Sequence, residues 1–234
     1  MDLRERSALV ERFFAGTAGS YDRIVQLGTL GLDGFWKRRI LARLPPDPRW
    51  VVDQAAGTGI VTFRIARRFP RCRVVGVELR AEYARAARRK QRRSGPRNVQ
   101  FVVGRAEEVL VRAPVDAVTS SYLAKYAEVE RWVATAAAML RPGGVFVAHD
   151  FTVPTHPVWR RAWRLWLAGL QRAGVRRFPE WRQALLGLPG LLEQTAWVED
   201  LSEALVRRGF RRVTVERLAF GAAALVTARR QGHR

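Results

Sequence analysis

Hydrophobic positions along the chain change their spacing once, sharply, at Pro45-Pro46-Asp47-Pro48. Before this punctuation apolar residues recur at helical intervals: Leu9 and Phe13 within 3–14, then Leu32, Phe35, Ile40 and Leu44 within 21–44. A helix is predicted over each range. After it, short β-rich runs alternate with longer segments of helical period. The predicted strands cover 50–53, 73–77, 99–103, 115–119 and 145–151, and the predicted helices 58–69, 80–93 and 128–140. Such alternation implies right-handed crossovers and a mostly parallel sheet covered on both faces, the doubly wound α/β arrangement.

The alternation lapses over 152–196, a segment rich in Trp and Arg, and resumes with a predicted helix at 199–208 and strands at 211–219 and 222–229. Phe220-Gly221 is too short a connection for a parallel crossover, so the last two strands are expected to form an antiparallel pair. The expected fold is therefore a Rossmann-like, seven-stranded, mostly parallel sheet with an antiparallel C-terminal strand. One domain is expected over 1–234: N-terminal helices (1–44), an α/β core (50–151), a helical cap (152–196), and a C-terminal helix with a β-hairpin (197–230).

Composition adds exclusions. With 234 residues, 48% of them hydrophobic, the chain can bury a sizeable core. Cys72 is the only cysteine and there are three histidines, so neither a disulfide framework nor an ordinary zinc site can be written. No metal is expected. The first residues, Met1 to Arg6, are polar, and no apolar run reaches the ~20 residues of a spanning helix, so a cytoplasmic location is expected. The net charge of +21 is almost all Arg, since Lys37, Lys90 and Lys125 are the only lysines. It fits either a generally Arg-coated surface or a patch for a polyanion, such as nucleic acid or an anionic membrane.

Candidate chemistry begins where the first strand ends, at Asp53-Gln54-Ala55-Ala56-Gly57-Thr58-Gly59. Gly57 and Gly59 permit a tight turn and close approach of a ligand, and the following helix offers open N–H groups. Glu78, closing the second strand 19 residues after Gly59, stands near the ~20-residue spacing at which an acid reaches ribose hydroxyls. No Gly-Lys-Ser/Thr follows, which argues against nucleoside triphosphate hydrolysis; a nicotinamide cofactor remains open on spacing alone.

The run from Val51 to Gly59, with Gly76-Val77-Glu78 and Arg141-Pro142-Gly143-Gly144, resembles the class I S-adenosylmethionine-dependent methyltransferases. More narrowly, the chain is similar to the menaquinone and ubiquinone biosynthesis C-methyltransferases over nearly its whole length. Tyr21-Asp22, Leu30-Gly31-Leu32 and Trp36-Lys37-Arg38 correspond to that family's first signature, and 140–152 to its second. The departures are Ile24-Val25, Gly28-Thr29, Asp33 in place of a His, Ile60 in place of an acid, Arg105 in place of an Asp, and Lys125-Tyr126 in place of Arg-Asn. They leave the cofactor better supported than the acceptor. The resemblance implies S-adenosylmethionine held by Asp53, Ala55, Gly57, Thr58 and Gly59 at its methionine part and by Glu78 and Leu79 at its ribose. Arg105 and Ala106 would meet adenine, with Glu107 replacing the lost Asp or simply solvated. Ser120 and Ser121 would close over the methyl-bearing side, or satisfy a turn.

A sulfonium methyl needs alignment and an electron-rich acceptor more than side-chain chemistry. His149 and Asp150, ending the fifth strand, are expected at the ligand crevice and are candidate catalytic groups with Tyr122; His149 read as a packed residue is the alternative. Tyr21 and Lys125 are candidates for the acceptor side. Asn/Asp-Pro-Pro-Tyr is missing after the fourth strand, which argues against methylation of nucleic-acid bases. In the cap, Trp159, Trp163, Trp166, Leu167 and Leu170 share one helical face, with Arg160, Arg161, Arg164 and Arg172 around the other. Trp159 and Trp163 are candidate acceptor contacts. The helix reads as a lid over an apolar pocket, a peripheral membrane contact, or both. The expected substrate is a small hydrophobic acceptor, quinol-like in the first instance. A natural-product methyltransferase, and a basic RNA- or membrane-binding protein on the same scaffold, are the alternatives. The oligomeric state is left open, a homodimer being one option.

Overall fold

The computed structural model of the protein describes residues 3–112 and 114–232; Met1 and Asp2, part of the polar N-terminus read above, lie outside the described residues. Seven strands form one sheet: β1 (Trp50–Gln54), β2 (Arg73–Glu78), β3 (Val99–Val103), β4 (Val115–Ser121), β5 (Leu140–Phe151), β6 (Phe210–Leu218) and β7 (Ala223–Arg230). Their order is β3-β2-β1-β4-β5-β7-β6. The first five are parallel, and β7 runs antiparallel to both β5 and β6. The crossovers are α4 (Ile60–Arg68), α5 (Ala81–Ser94) and α6 (Val129–Met139), with α9 (Trp197–Arg207) before the last pair.

The strands are apolar on both sides because side chains alternate across a sheet that is covered twice. On one face Val52, Val118, Phe146 and Ala148 pack with Trp132 of α6 and Leu201 and Leu205 of α9. On the other, Val51, Ala117, Val145 and Val147 pack with Trp36, Ile40 and Ile65. A third cluster lies above the sheet, where Phe13 and Ile24 of the N-terminal helices meet Phe178, Trp181 and Leu185 of the cap.

Most boundaries move by a residue or two, α9 opening at Trp197 and β4 running on to Ser121, and three differences have a visible cause. Residues 21–44 are not one helix but two, α2 (Tyr21–Gly28) and α3 (Asp33–Ala42). Leu30 (φ 50°) and Gly31 (φ 78°) turn the chain left-handed between them, and Thr29 Oγ1 accepts the Asp33 amide (3.2 Å) while donating to the Val25 carbonyl (2.8 Å). Helical spacing of apolar residues persists across this break, which hid it. Helix α4 opens at Ile60, not Thr58, because Gly59 is left-handed (φ 88°). Strand β5 starts at Leu140, which pairs with Val115 ahead of a register shift. The N-terminal α1 (Leu3–Phe14) is as expected, and the cap comprises α7 (Pro157–Arg177) and α8 (Arg182–Gln194).

Candidate functional site

Beyond the C-terminal ends of β1, β2 and β4, where the strand order reverses beside β1, the sheet opens a crevice of the kind that receives ligands in doubly wound folds. The loop after β1 makes its floor. Ala55 (φ 58°), Gly57 (φ 59°) and Gly59 (φ 88°) are all left-handed; a Cβ on Gly59 would stand 2.7 Å from the Phe63 ring. The turn is clamped from the neighbouring strand. The Ala56 amide donates to the Val77 carbonyl (2.9 Å), the Gly57 amide to Glu78 Oε2 (2.7 Å) and the Arg80 amide to Glu78 Oε1 (2.9 Å). Burial nevertheless pushes the Glu78 carboxyl above its usual range. Each of its oxygens accepts one amide and has capacity for a second donor, which fits a vicinal diol. The loop after β3 is fixed by Gln54, whose Nε2 donates to the Ala106 carbonyl (3.0 Å) and whose Oε1 accepts Trp132 Nε1 (2.7 Å).

The cleft is lined by Ala55, Gly57, Glu78, Leu79, Arg105 and Ala106 among the expected contacts, with Ser121, Tyr21 and Tyr122 also on its walls. Helix α1 crosses its outer side through Arg6, Ser7, Val10 and Phe14, which no sequence signal singled out. Ser7 is hydrogen-bonded to Arg105, and Glu11 pairs with Arg80. Glu107 is buried and lines the cleft; it is not a solvated helix start, since its Oε1 accepts the Glu128 amide (3.2 Å).

Four expected cofactor contacts stand behind this wall. Asp53 is buried and accepts Thr62 Oγ1 (2.6 Å) and Thr119 Oγ1 (2.8 Å); desolvation raises its pKa to about 6. Thr58 gives its hydroxyl to Asp22 (2.5 Å), tying α2 to the loop. Gly59 caps α4, and Ser120 is enclosed within the sheet. These residues shape the cleft without lining it.

A second cavity lies under the cap, and Phe14, Tyr21, Tyr122 and Tyr126 belong to the walls of both. Its other walls are largely apolar, including Trp163, Trp166, Leu167 and Leu170 of α7, Trp181, and Leu185 of α8. Among its described lining residues Lys125 alone carries a charge, and none is a carboxylate or an imidazole. Trp163 is thus where a hydrophobic acceptor contact was expected, whereas Trp159 is outside this cavity, stacked on Phe220.

The expected catalytic pair needs correction. Asp150 is buried and bound to Lys125, with Nζ 2.6 Å from Oδ1, and it lines neither cavity. His149 is also buried. Desolvation, with Lys37 and Lys125 nearby, holds its pKa well below the imidazole range, so it stays neutral with poor proton affinity. Its Nδ1 is 3.1 Å from Ser121 Oγ, which also accepts Lys37 Nζ (2.5 Å). Lys37 in turn pairs with Asp33 (2.9 Å), and Asp33 accepts the Tyr122 hydroxyl (2.7 Å). This buried chain of Asp33, Lys37, Ser121 and His149 fixes Tyr122, whose backbone is left-handed (φ 68°), between the cavities. Asp33 and Lys37 were visible only as members of a signature. Tyr126 was noted only as a substitution, yet it faces both cavities.

A sheet of this order, with a glycine turn after β1 and a carboxylate closing β2 that holds that turn, is the arrangement of a class I S-adenosylmethionine-dependent methyltransferase. Residues 51–144 match the family described as methyltransferase domain. The ubiquinone/menaquinone biosynthesis C-methyltransferase of Rubrivivax gelatinosus is 30% identical over 225 residues, 86% of each chain. The demethylmenaquinone methyltransferase of Deinococcus radiodurans is 29% identical over 170 residues, 70% of this chain and 69% of that one. The chain belongs to the ubiquinone/menaquinone biosynthesis C-methyltransferase family. Among solved structures, the geranyl diphosphate C-methyltransferase of Streptomyces coelicolor shares the fold, with TM-score 0.61 and 16% identity over 85% of this chain and 79% of that one.

Proposed function

We propose that the protein C-methylates a hydrophobic quinol-like ring of the demethylmenaquinol type. One observation carries this reading: the cleft with Glu78 and the apolar cavity under the cap meet at a shared wall of Tyr21, Tyr122 and Tyr126. Two reactants seated in them would meet where those side chains part, shielded from water by α1 and the cap. Glu78 would grip the ribose hydroxyls, Leu79 and Ala106 would flank the adenine, and the Ala55–Gly57 turn and Ser121 would border the methionine part. When bound, the cofactor supplies an electrophilic methyl.

The chain's contribution on the acceptor side follows from what lines that cavity. A quinol carbon becomes nucleophilic when its ring hydroxyl ionises. With no carboxylate on the wall, the Lys125 ammonium favours that anion electrostatically, and no dedicated base is needed. Asp150 and the Tyr122 carbonyl (3.0 Å) take two of its N–H directions, and the third remains for the acceptor oxygen. Burial lowers the Lys125 pKa and Asp150 opposes that shift. Tyr21 and Tyr126, whose pKa values burial raises well above the phenol range, keep their protons and can donate to the same oxygen. The hydroxyl proton passes to solvent as the acceptor ionises; the ring carbon takes the methyl as the carbon–sulfur bond would break to leave a thioether, and the proton lost from that carbon returns to the ring oxygen as aromaticity is restored.

A second reading, methylation of a smaller soluble phenol, is favoured by Lys125-Tyr126 standing where the resembled family has Arg-Asn. Labelled S-adenosylmethionine offered with demethylmenaquinol and with soluble naphthalenediols separates the two. Label is expected in the long-chain quinol; label confined to the soluble phenols selects the second reading, and label in no quinol ends the first.

A further inference from the structure

The apolar stripe of α7 is turned inward: Trp163 and Leu167 are buried, and Trp166 and Leu170 border the acceptor cavity. The apolar surface left outside is a different one. It surrounds a groove between the α2–α3 turn, the start of α7 and the β6–β7 turn, lined by Leu30, Leu32, Trp159 and Phe220. Leu30 is 74% exposed and Phe220 70%, and the Trp159 ring stacks on Phe220 at 4.0 Å. Both turns hold these side chains out on left-handed backbone, at Leu30 (φ 50°), Ala219 (φ 46°) and Phe220 (φ 55°), a region that large L-residues seldom occupy.

The charge around this rim has one sign. Segments 23–38, 154–172 and 219–222 contain a single acid, Asp33, which is buried against Lys37, whereas Arg38, Arg160 and Arg161 are exposed. The groove also adjoins the acceptor cavity, with Gly28, Thr29, Trp163 and Trp166 forming walls of both.

We infer that this rim docks on an anionic bilayer. Leu30, Leu32, Trp159 and Phe220 enter the boundary between headgroups and acyl chains, and the arginines meet the headgroup charge. The groove between them is then the passage by which a lipophilic acceptor reaches its cavity, a clause that rests on the quinol reading; the docking itself does not.

Sedimentation of the full chain with phosphatidylcholine vesicles, and with vesicles half phosphatidylglycerol, tests this. Binding is expected to the anionic vesicles, with only partial release as salt is raised, because the apolar contribution is not screened. The double variant Leu30→Ser/Phe220→Ser is expected to bind about tenfold more weakly with cofactor affinity and melting temperature unchanged. Arg38→Ala/Arg161→Ala is expected to reduce the preference for anionic lipid. Wild-type protein that stays in the supernatant at low salt overturns the inference, and so does a double Ser variant that binds as well as wild type. Self-association of the wild type, lost in the double Ser variant with neither binding vesicles, assigns the rim to contact between copies and also overturns it. Transfer to demethylmenaquinol in detergent, measured on the wild type alongside, is independent: its absence ends the acceptor reading and leaves docking standing.

Discussion

The cleft beside Glu78 and the cavity beneath the cap share Tyr21, Tyr122 and Tyr126, yet they are built from different material. The first is framed by backbone: a left-handed turn, amides fixed on a carboxylate, and the Ala106 carbonyl held by Gln54. The second is framed by side chains from α1, α2, α7 and α8, with one buried ammonium in an otherwise uncharged wall. Backbone framing recognises one constant ligand, while side-chain framing can be recut for a new acceptor by substitution. The departures from the resembled family fall on both sides: Ile24-Val25, Gly28-Thr29 and Lys125-Tyr126 line the acceptor cavity, while Arg105 lines the Glu78 cleft and Ile60 opens the helix after its glycine turn.

Substitutions can break or sharpen that contrast. The largest effect is expected at Lys125. Lys125→Met strands Asp150 as an unpaired buried charge and should cost about 3–5 kcal/mol of stability by denaturant titration, with much of it recovered by adding Asp150→Asn. Failure of the second change to restore stability would show that the pair is not what holds this wall.

Next comes Asp53, whose pKa burial raises from 3.8 to about 6. The folded chain then keeps a proton that the unfolded chain releases. The Asp53 contribution to stability should therefore be greatest below the lower value, fall as pH rises between the two, and level off above about 6. The span is on the order of 3 kcal/mol. Asp53→Asn should abolish that portion of the pH dependence; an unchanged profile would mean the carboxyl titrates normally. Glu78→Ala should weaken cofactor binding by about 1–3 kcal/mol in calorimetry, roughly 5- to 150-fold, and unchanged affinity would put the diol elsewhere. The smallest effect is expected for Tyr122→Phe, which loses the hydroxyl bond to Asp33 and about 1 kcal/mol of stability while Asp33 keeps Lys37.

Legibility in the sequence divides along the same line. The strand pattern, the antiparallel C-terminal pair, the glycine turn and Glu78 were readable because each is local: alternation, a short connection, small residues after a strand, an acid closing the next. The break at Leu30 was not, because apolar spacing runs through it. His149 and Asp150 were selected because residues ending β5 border the crevice in such sheets, but a strand end does not reveal which neighbours absorb a side chain. Lys125 and Ser121 do so here. The link from Tyr122 to Asp33 joins positions 89 apart. No periodicity reports a contact of that range.

Helix α1 has a consequence for timing. It lies across the Glu78 cleft, fastened by the pairing of Glu11 with Arg80 and of Ser7 with Arg105, by Arg6 on the Ala127 carbonyl (2.7 Å), and by Glu82 on the Gly16 amide (3.3 Å). A spent nucleoside behind such a strap departs only when these ties part together. Of these ties the Glu11–Arg80 pair, exposed at its Glu11 end, is the one that dissolved salt would weaken most.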